Sequence, residues 1–334
     1  MKLSFTDAAG VRWLRNQYGR LTELAPELHI KTDFEGVTAL SRFEDEFLAA
    51  YGVTVTFETK NGYYPQERFV TDVREEGRAD ALVCPHDWLG DLIERDVIEP
   101  TILTSAHQSA FPAWVLSALT VDGELYGLPS NVDTVALIRN TRLAPEPPRT
   151  FEELVSTGEE LRRSGLVTHA LALRTGEQGD PFQIWPLFES AGGRLFGRTP
   201  DGRWDPTSVR LAEPRSVAAF ERLRTLGEAG AGFLRRSVGR TEAIELFTSE
   251  RCPYLVTTSD ALKQVRAAGL PVAVSAVPPF DDGEPASGLT LVRGLVMMKA
   301  VWRVVERAEL SVVAGAGAGA TAARAAAEVS ALFD

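Results

Sequence analysis

The strongest constraint on this chain is an alternation of strand and helix signals between Leu28 and Cys84. Leu28-His29-Ile30-Lys31-Thr32 reads as a strand, and Asp33-Phe34-Glu35-Gly36 as the turn that leaves it. Val37, Leu40, Phe43, Phe47 and Leu48 then fall on one face at helical spacing, with Gly52 as the stop. Residues 53–58 (VTVTFE) form the next strand. Residues 65–76 form a second helix with Phe69 and Val73 inward, and residues 79–84 a third strand. Strands joined by helical crossovers run parallel, and the crossovers are right-handed, so this order implies an α/β, doubly wound sheet. Ligands of such sheets sit beyond the carboxyl ends of the strands. Three stretches reach that rim: Asp33–Gly36, Cys84–Trp88 and residues 129–133. Residues 1–27 read separately, as short strands (LSFTD, VRWLR, RLTEL) between turns, with no recognisable chemistry.

A second landmark is 121–143, where a Gly-rich turn (Gly123, Gly127) ends at Pro129 and Val132–Ile138 reads as one buried strand. Asp133 is the single acid inside that apolar run. An ionised carboxylate is costly there unless it is paired or faces a polar cavity. Two readings stay open: a strand-end residue bonded to a nearby amide, or a ligand-binding carboxylate at a hinge between two lobes. Asp87 has the same two sides. It is either the N-cap of a helix at 87–95 or an acid aimed at a cleft, and Trp88 is either a core anchor or a stacking surface.

Downstream, Thr150 and Glu153 make a capping box for a helix at 151–163, followed by a strand at 166–175. Asp180-Pro181-Phe182 starts a helix at 182–191 that stops at Gly192-Gly193. Asp180 is again an N-cap or a ligand acid. Helices at 215–228 and 241–249 follow. A strand at 253–257 then passes through Thr258-Ser259-Asp260 into a helix at 260–268, and further strand signals lie at 270–280 and 289–298.

The totals exclude several classes. A length of 334 residues with 44% hydrophobic content supports two domains. The chain carries 35 basic against 46 acidic residues and no basic cluster, which argues against a nucleic-acid partner. Cys84 and Cys252 make neither a disulfide framework nor a zinc set, and His29, His86, His107 and His169 lack metal-ligand spacing, so no cofactor is expected. No stretch reaches the roughly 18 apolar residues of a membrane span, and MKLSFTDAAG lacks the apolar core of a signal peptide. On these grounds the chain is either cytoplasmic or the mature or trimmed form of an exported protein. Gly315, Gly317 and Gly319 loosely match a dinucleotide turn, but no strand with an acid about 20 residues further on can follow. No spacing of carboxylates separates a catalytic acid from a nucleophile. An enzyme is not expected.

Four stretches in order, ADALVCPHDWLGDLIERDVIEP, GELYGLPSNVDTVALIRNTRLAPEPPRTFEEL, GDPFQIWPLFESAGG and ELFTSERCPYLVTTSDAL with VAVSAVPPF after it, resemble the maltose/maltodextrin-type solute-binding proteins of ABC transporters. The resemblance runs from about Leu28 to Lys299. It implies a two-lobe periplasmic-binding-protein-like α/β fold with hinge strands. Lobe one would be residues 28–131 and 261–299, and lobe two residues 132–260, with crossings near Ser130–Asp133 and Thr257–Asp260. Residues 1–27 would stand apart, and 300–334 would be an atypical Ala/Gly-rich tail, truncated or aberrant against the family. The resemblance further implies a monomer that binds a mono- or oligosaccharide between lobes that close on it, and permease subunits as partners if it is exported. A cytosolic sugar sensor, or a binder of a non-sugar polar solute, is the alternative. The ligand-binding positions it implies are Phe34, Glu35, Asp87, Trp88, Asp133, Asp180, Phe182, Ser259 and Asp260. The family's stacking Trp is replaced by Cys84, and a second platform by Ser259-Asp260, so the sugar need not be a long maltodextrin. The family's place is the cell envelope or the extracellular space.

Overall fold

The two strand signals that open the alternation pair in parallel. β4 (Glu27–Thr32) lies beside β5 (Thr54–Thr59) and beside β6 (Ala81–Pro85), parallel to both. The computed structural model describes residues 3–6, 12–15, 21–24, 27–51, 53–59, 79–202 and 204–298. The helix expected at 65–76 and the tail at 300–334 lie outside the described residues. The chain divides into two compact units. Among the described residues, one contains those up to Val132 together with Leu291–Met298; the other is Asp133–Thr290.

In the first unit, β1 (Leu3–Thr6), β2 (Arg12–Arg15) and β3 (Leu21–Leu24) form a three-stranded antiparallel sheet. The helix signal after β4 resolves into α1 (Phe34–Leu40), a 3-10 turn at Ser41–Phe43, and α2 (Glu44–Tyr51). After β6 come a 3-10 turn at His86–Trp88, α3 (Leu89–Glu94), the short β7 (Ile98–Glu99), α4 (Ser105–Gln108) and α5 (Ala113–Ala118). A small hairpin, β8 (Thr120–Val121) with β9 (Glu124–Leu125), leads to β10 (Leu128–Thr134). The main sheet has the order β10-β17-β6-β4-β5, where β17 is Thr290–Met298 and runs antiparallel to β6. Its core packs Leu82, Cys84, Leu89, Leu92, Leu119 and Val296, all nearly inaccessible to solvent. Two buried charged groups here are paired: Asp80 accepts the His29 amide at 2.7 Å, and Lys31 lies 3.6 Å from Glu58.

The second unit is built on a four-stranded sheet. The single strand expected over Val132–Ile138 is divided at Val135: β10 joins the first unit's sheet, and β11 (Ala136–Asn140) the second's. Each strand then finds its own neighbours. In order come α6 (Phe151–Arg163), β12 (Ala172–Leu173), α7 (Pro181–Ser190), the hairpin β13 (Phe196–Arg198) with β14 (Trp204–Val209), α8 (Pro214–Leu226), α9 (Arg240–Thr248), β15 (Tyr254–Thr257), α10 (Leu262–Ala267) and β16 (Val272–Ser275). The sheet order is β12-β15-β11-β16. Because β15 and β16 both pair with β11, residues 261–290 stay with this unit. The return to the first unit therefore falls at Thr290/Leu291, and not near Thr257–Asp260.

Local chemistry explains most of these boundaries. The Thr150 hydroxyl accepts the Glu153 amide at 3.2 Å and starts α6, while Glu153 reaches back to the Arg149 amide at 2.8 Å. Phe151 and Leu154 of α6 are buried against Leu171, Leu173 and Phe280. The strand expected over 166–175 shrinks to two residues, because Thr168 and His169 donate their amides to Arg251 and Thr175 donates to Val238 instead. Burial pushes the Cys84 thiol far above its ordinary range and the Cys252 thiol up to about 12. Both thiols should therefore resist a thiol-specific disulfide reagent near pH 8 in the folded protein and react once it is unfolded in denaturant. Prompt labelling of the native protein would contradict the packing.

Gly158 of α6 gives a sharper test. A Cβ built there would lie 2.3 Å from the Ala170 carbonyl oxygen, a backbone atom that cannot step aside. On an open helix surface, Gly→Ala adds about 0.5–1 kcal/mol of stability. Here overpacking, at about 1–3 kcal/mol, should win. Gly158→Ala should lower the urea midpoint, and an unchanged or raised midpoint would refute the close approach.

Candidate functional site

Strand direction collects the candidate residues at one edge of each sheet. In the first unit the carboxyl ends of β4 and β6 lie together, and the register sets Arg293 of β17 opposite Pro85. Asp33 follows β4. Its Oδ1 accepts the Gly36 amide at 2.7 Å, which caps α1, and its Oδ2 pairs with the Arg293 guanidinium. The Ser130 hydroxyl donates to the Arg293 carbonyl at 3.1 Å, so β10 contributes to the same rim. Phe34 and Glu35 occupy the first turn of α1, and their side chains lie outside the described residues.

Asp87 does not cap a helix. It lies inside the 3-10 turn His86–Trp88, which starts at Pro85, and α3 begins only at Leu89. Pro85 takes the N-cap position in an extended conformation (φ −66°, ψ 149°), so the turn starts earlier than the capping pattern implies. Asp87 is exposed and has no hydrogen-bond or ion-pair partner among the described residues. Its neighbour His86 is fixed, with Nδ1 accepting the Val292 amide at 3.3 Å. Trp88 is half-buried and packs on the first unit's core, so the core-anchor reading describes part of its surface.

In the second unit, β12 is parallel to β15 and β11 is antiparallel to it, with Leu173 opposite Val256 and Ala136 opposite Thr257. The segments after β12 and β15 and the one before β11 therefore share an edge. Asp133 meets Ser259 there: its Oδ1 accepts the amides of Ser259 and Thr134, each at 3.0 Å. This is the nearby-amide reading of Asp133, and the side chain remains half-exposed. Ser259 is exposed. Asp260 is committed, with Oδ1 taking the Thr258 hydroxyl at 2.6 Å and Oδ2 the Arg240 guanidinium at 2.6 Å. Asp180 caps α7 by accepting the Gln183 amide at 3.2 Å and pairs with Arg174 at 2.8 Å. Phe182 packs one side on the core and keeps part of its ring accessible.

The rims thus hold acids with acceptor capacity to spare, since a carboxylate offers about four lone-pair sites. Asp33, Arg293, Arg174 and Arg240 complete the set, and none of them is among the nine ligand positions read from the sequence. Arg293 carries a readable signal, a lone cation in the apolar run Leu289–Met298, and Asp33 sits three residues before Gly36 at cap spacing. Arg174 and Arg240 carry none: the Arg174 partner lies across a loop at no helix or strand period, and the Arg240 partner lies on another element. Among the described residues, no group of three or more His, Cys, Asp and Glu side chains is placed to hold a metal, and no helix is long and apolar enough to cross a membrane.

Comparison with known proteins gives the class. The model of the family described as bacterial extracellular solute-binding protein matches residues 43–306, well over half of the chain, and the chain belongs to that family. Among its relatives, the maltotriose-binding protein of Pyrococcus abyssi (strain GE5 / Orsay) is 25% identical over 242 residues, covering 68% of this chain and 50% of its own length. The galactooligosaccharide-binding protein of Bacillus subtilis (strain 168) is 22% identical over 242 residues, covering 67% and 54%. The maltodextrin-binding protein MdxE of the same organism is 26% identical over 151 residues, covering 44% and 35%. The chain spans about half the length of the first two relatives and less of the third.

The bonding pattern separates two kinds of rim acid. Asp180→Ala removes a cap and an ion pair and should cost about 0.5–2 kcal/mol in urea unfolding. Asp87→Ala removes no bond and should stay within about 0.5 kcal/mol of wild type. Equal costs for the two would contradict the assignment.

Proposed function

We propose that this chain is the solute-binding component of an ABC transporter and holds a carbohydrate with the carboxylates and aromatic faces of its two rims. One observation carries the reading: in a member of this family, Asp87 presents an unspent carboxylate next to the half-buried Trp88, at the carboxyl end of β6. A carboxylate accepts hydroxyl protons, and an indole face covers the apolar face of a pyranose ring. Asp133, Asp180 and Phe182 offer the same pairing of acid and ring on the second unit. Relatives that bind maltotriose, maltodextrin and galactooligosaccharide support a sugar, with short oligosaccharides as the favoured class. The protein acts by binding and not by catalysis. It works as a monomer outside the cytoplasm, and membrane permease subunits receive its cargo.

A thermal-shift screen with maltotriose, maltodextrin and a galactooligosaccharide tests this. A sugar at a hundred times its Kd should stabilise by about 2.7 kcal/mol and raise the melting temperature. Asp87→Ala and Trp88→Ala should each weaken binding of the responding sugar by about 1–3 kcal/mol while leaving the sugar-free melting temperature of Asp87→Ala unchanged. The absence of any response across the carbohydrate panel would overturn the proposal.

A further inference from the structure

The second unit contains a cavity of about 260 Å³ beside β12, the edge strand of its sheet. Leu171, Phe233 and Val238 give it an apolar lining, while Arg162 and Arg235 supply charge and His169 a polar ring. None of the rim acids lines it. The two arginines differ. Arg162 is neutralised by Glu159, which also borders the cavity and takes three bonds from it, at 2.7, 3.0 and 3.1 Å. Arg235 has no carboxylate partner among the described residues. Its Nε donates to the Gly232 carbonyl at 2.7 Å, across a turn in which Gly232 adopts a φ of 71°. That leaves the remaining donors of a guanidinium fork unused.

His169 completes the polar side. The Thr168 hydroxyl lies 3.3 Å from the Arg251 carbonyl and 2.9 Å from His169 Nδ1. A hydroxyl has one proton. If it goes to the carbonyl, the oxygen accepts from Nδ1–H, and Nε2 is the atom that gains a proton when the ring charges. Burial holds the imidazole neutral, and Arg235, Arg251 and Arg162 repel its proton, with Glu242 opposing them. Arg235 is thus a cation over an apolar floor with no carboxylate in ion-pair contact among the described residues, and Glu228 acts on it only at longer range.

We propose that this cavity is a second binding site, specific for a small organic anion. Arg235 and His169 hold its carboxylate, and Leu171, Phe233 and Val238 cover its apolar body. The site is independent of the carbohydrate reading, since it shares no residue with the rims. A bound anion offsets the repulsion on the His169 proton, so binding takes up a proton and tightens as pH falls through the imidazole titration.

Benzoate is the probe, titrated into the full chain while the His169 ring resonances are followed by NMR. They are assigned as those lost in His169→Gln. Inorganic phosphate and benzyl alcohol are the comparison ligands. The expected result is a saturable shift with benzoate, an upward movement of the His169 titration, a weaker response to phosphate and none to benzyl alcohol. Arg235 is exposed on a loop, so Arg235→Gln should fold normally and reduce benzoate affinity roughly ten-fold; Arg235→Lys should restore part of it. Sugar-induced stabilisation should be unaltered in both variants. A linear, unsaturable shift, an undiminished affinity in Arg235→Gln, or phosphate binding as tightly as benzoate would each overturn the proposal.

Discussion

Backbone amides left unpaired where a strand gives way to a helix must find an acceptor, and in this protein aspartates supply it. Asp33 holds the Gly36 amide, Asp180 the Gln183 amide, and Asp133 the amides of Ser259 and Thr134. The first helical amides have no partner within their own helix, so an acid there stabilises the turn and meets the positive end of the helix dipole. Three of the four rim acids with amide or hydroxyl bonds also carry a guanidinium: Arg293 on Asp33, Arg174 on Asp180 and Arg240 on Asp260. The rims are therefore ordered by short-range polar bonds, and the strands behind them by apolar packing.

Under the proposed function, this arrangement ties architecture to binding. A carboxylate held by an amide and a guanidinium is fixed in direction, while part of its acceptor capacity remains open. A ligand hydroxyl then meets an acceptor that loses little freedom on binding. Asp87 follows a different logic. It holds no amide or guanidinium among the described residues, so its removal should leave the fold untouched.

Much of this was legible in the sequence because it is local. The parallel β4, β5 and β6 follow from alternating strand and helix periods, and α6 and α7 start at the Thr150 and Asp180 caps that the sequence displays. What was hidden depends on partners far along the chain. Nothing local says that Val132–Ile138 should part at Val135, because each half is an equally good strand; the division is made by β17 on one side and β15 with β16 on the other. The same pairings keep residues 261–290 on the second unit. Of the two readings of Asp87, the cap does not hold, because the turn starts earlier, at Pro85. Arg240 looks like an ordinary surface cation until the fold sets it beside Asp260, and Arg174 until the loop before α7 turns it onto Asp180.

The central claim is that the acids that finish these helices also receive the solute. Amide hydrogen exchange measured residue by residue, with and without a carbohydrate that stabilises the protein, tests it most directly. The claim predicts that the capped amides of Gly36, Ser259 and Gln183 exchange more slowly once the sugar is bound, because the carboxylates that hold them are pinned from both sides. Saturating sugar that leaves all three rates unchanged, while protecting amides elsewhere, would contradict it.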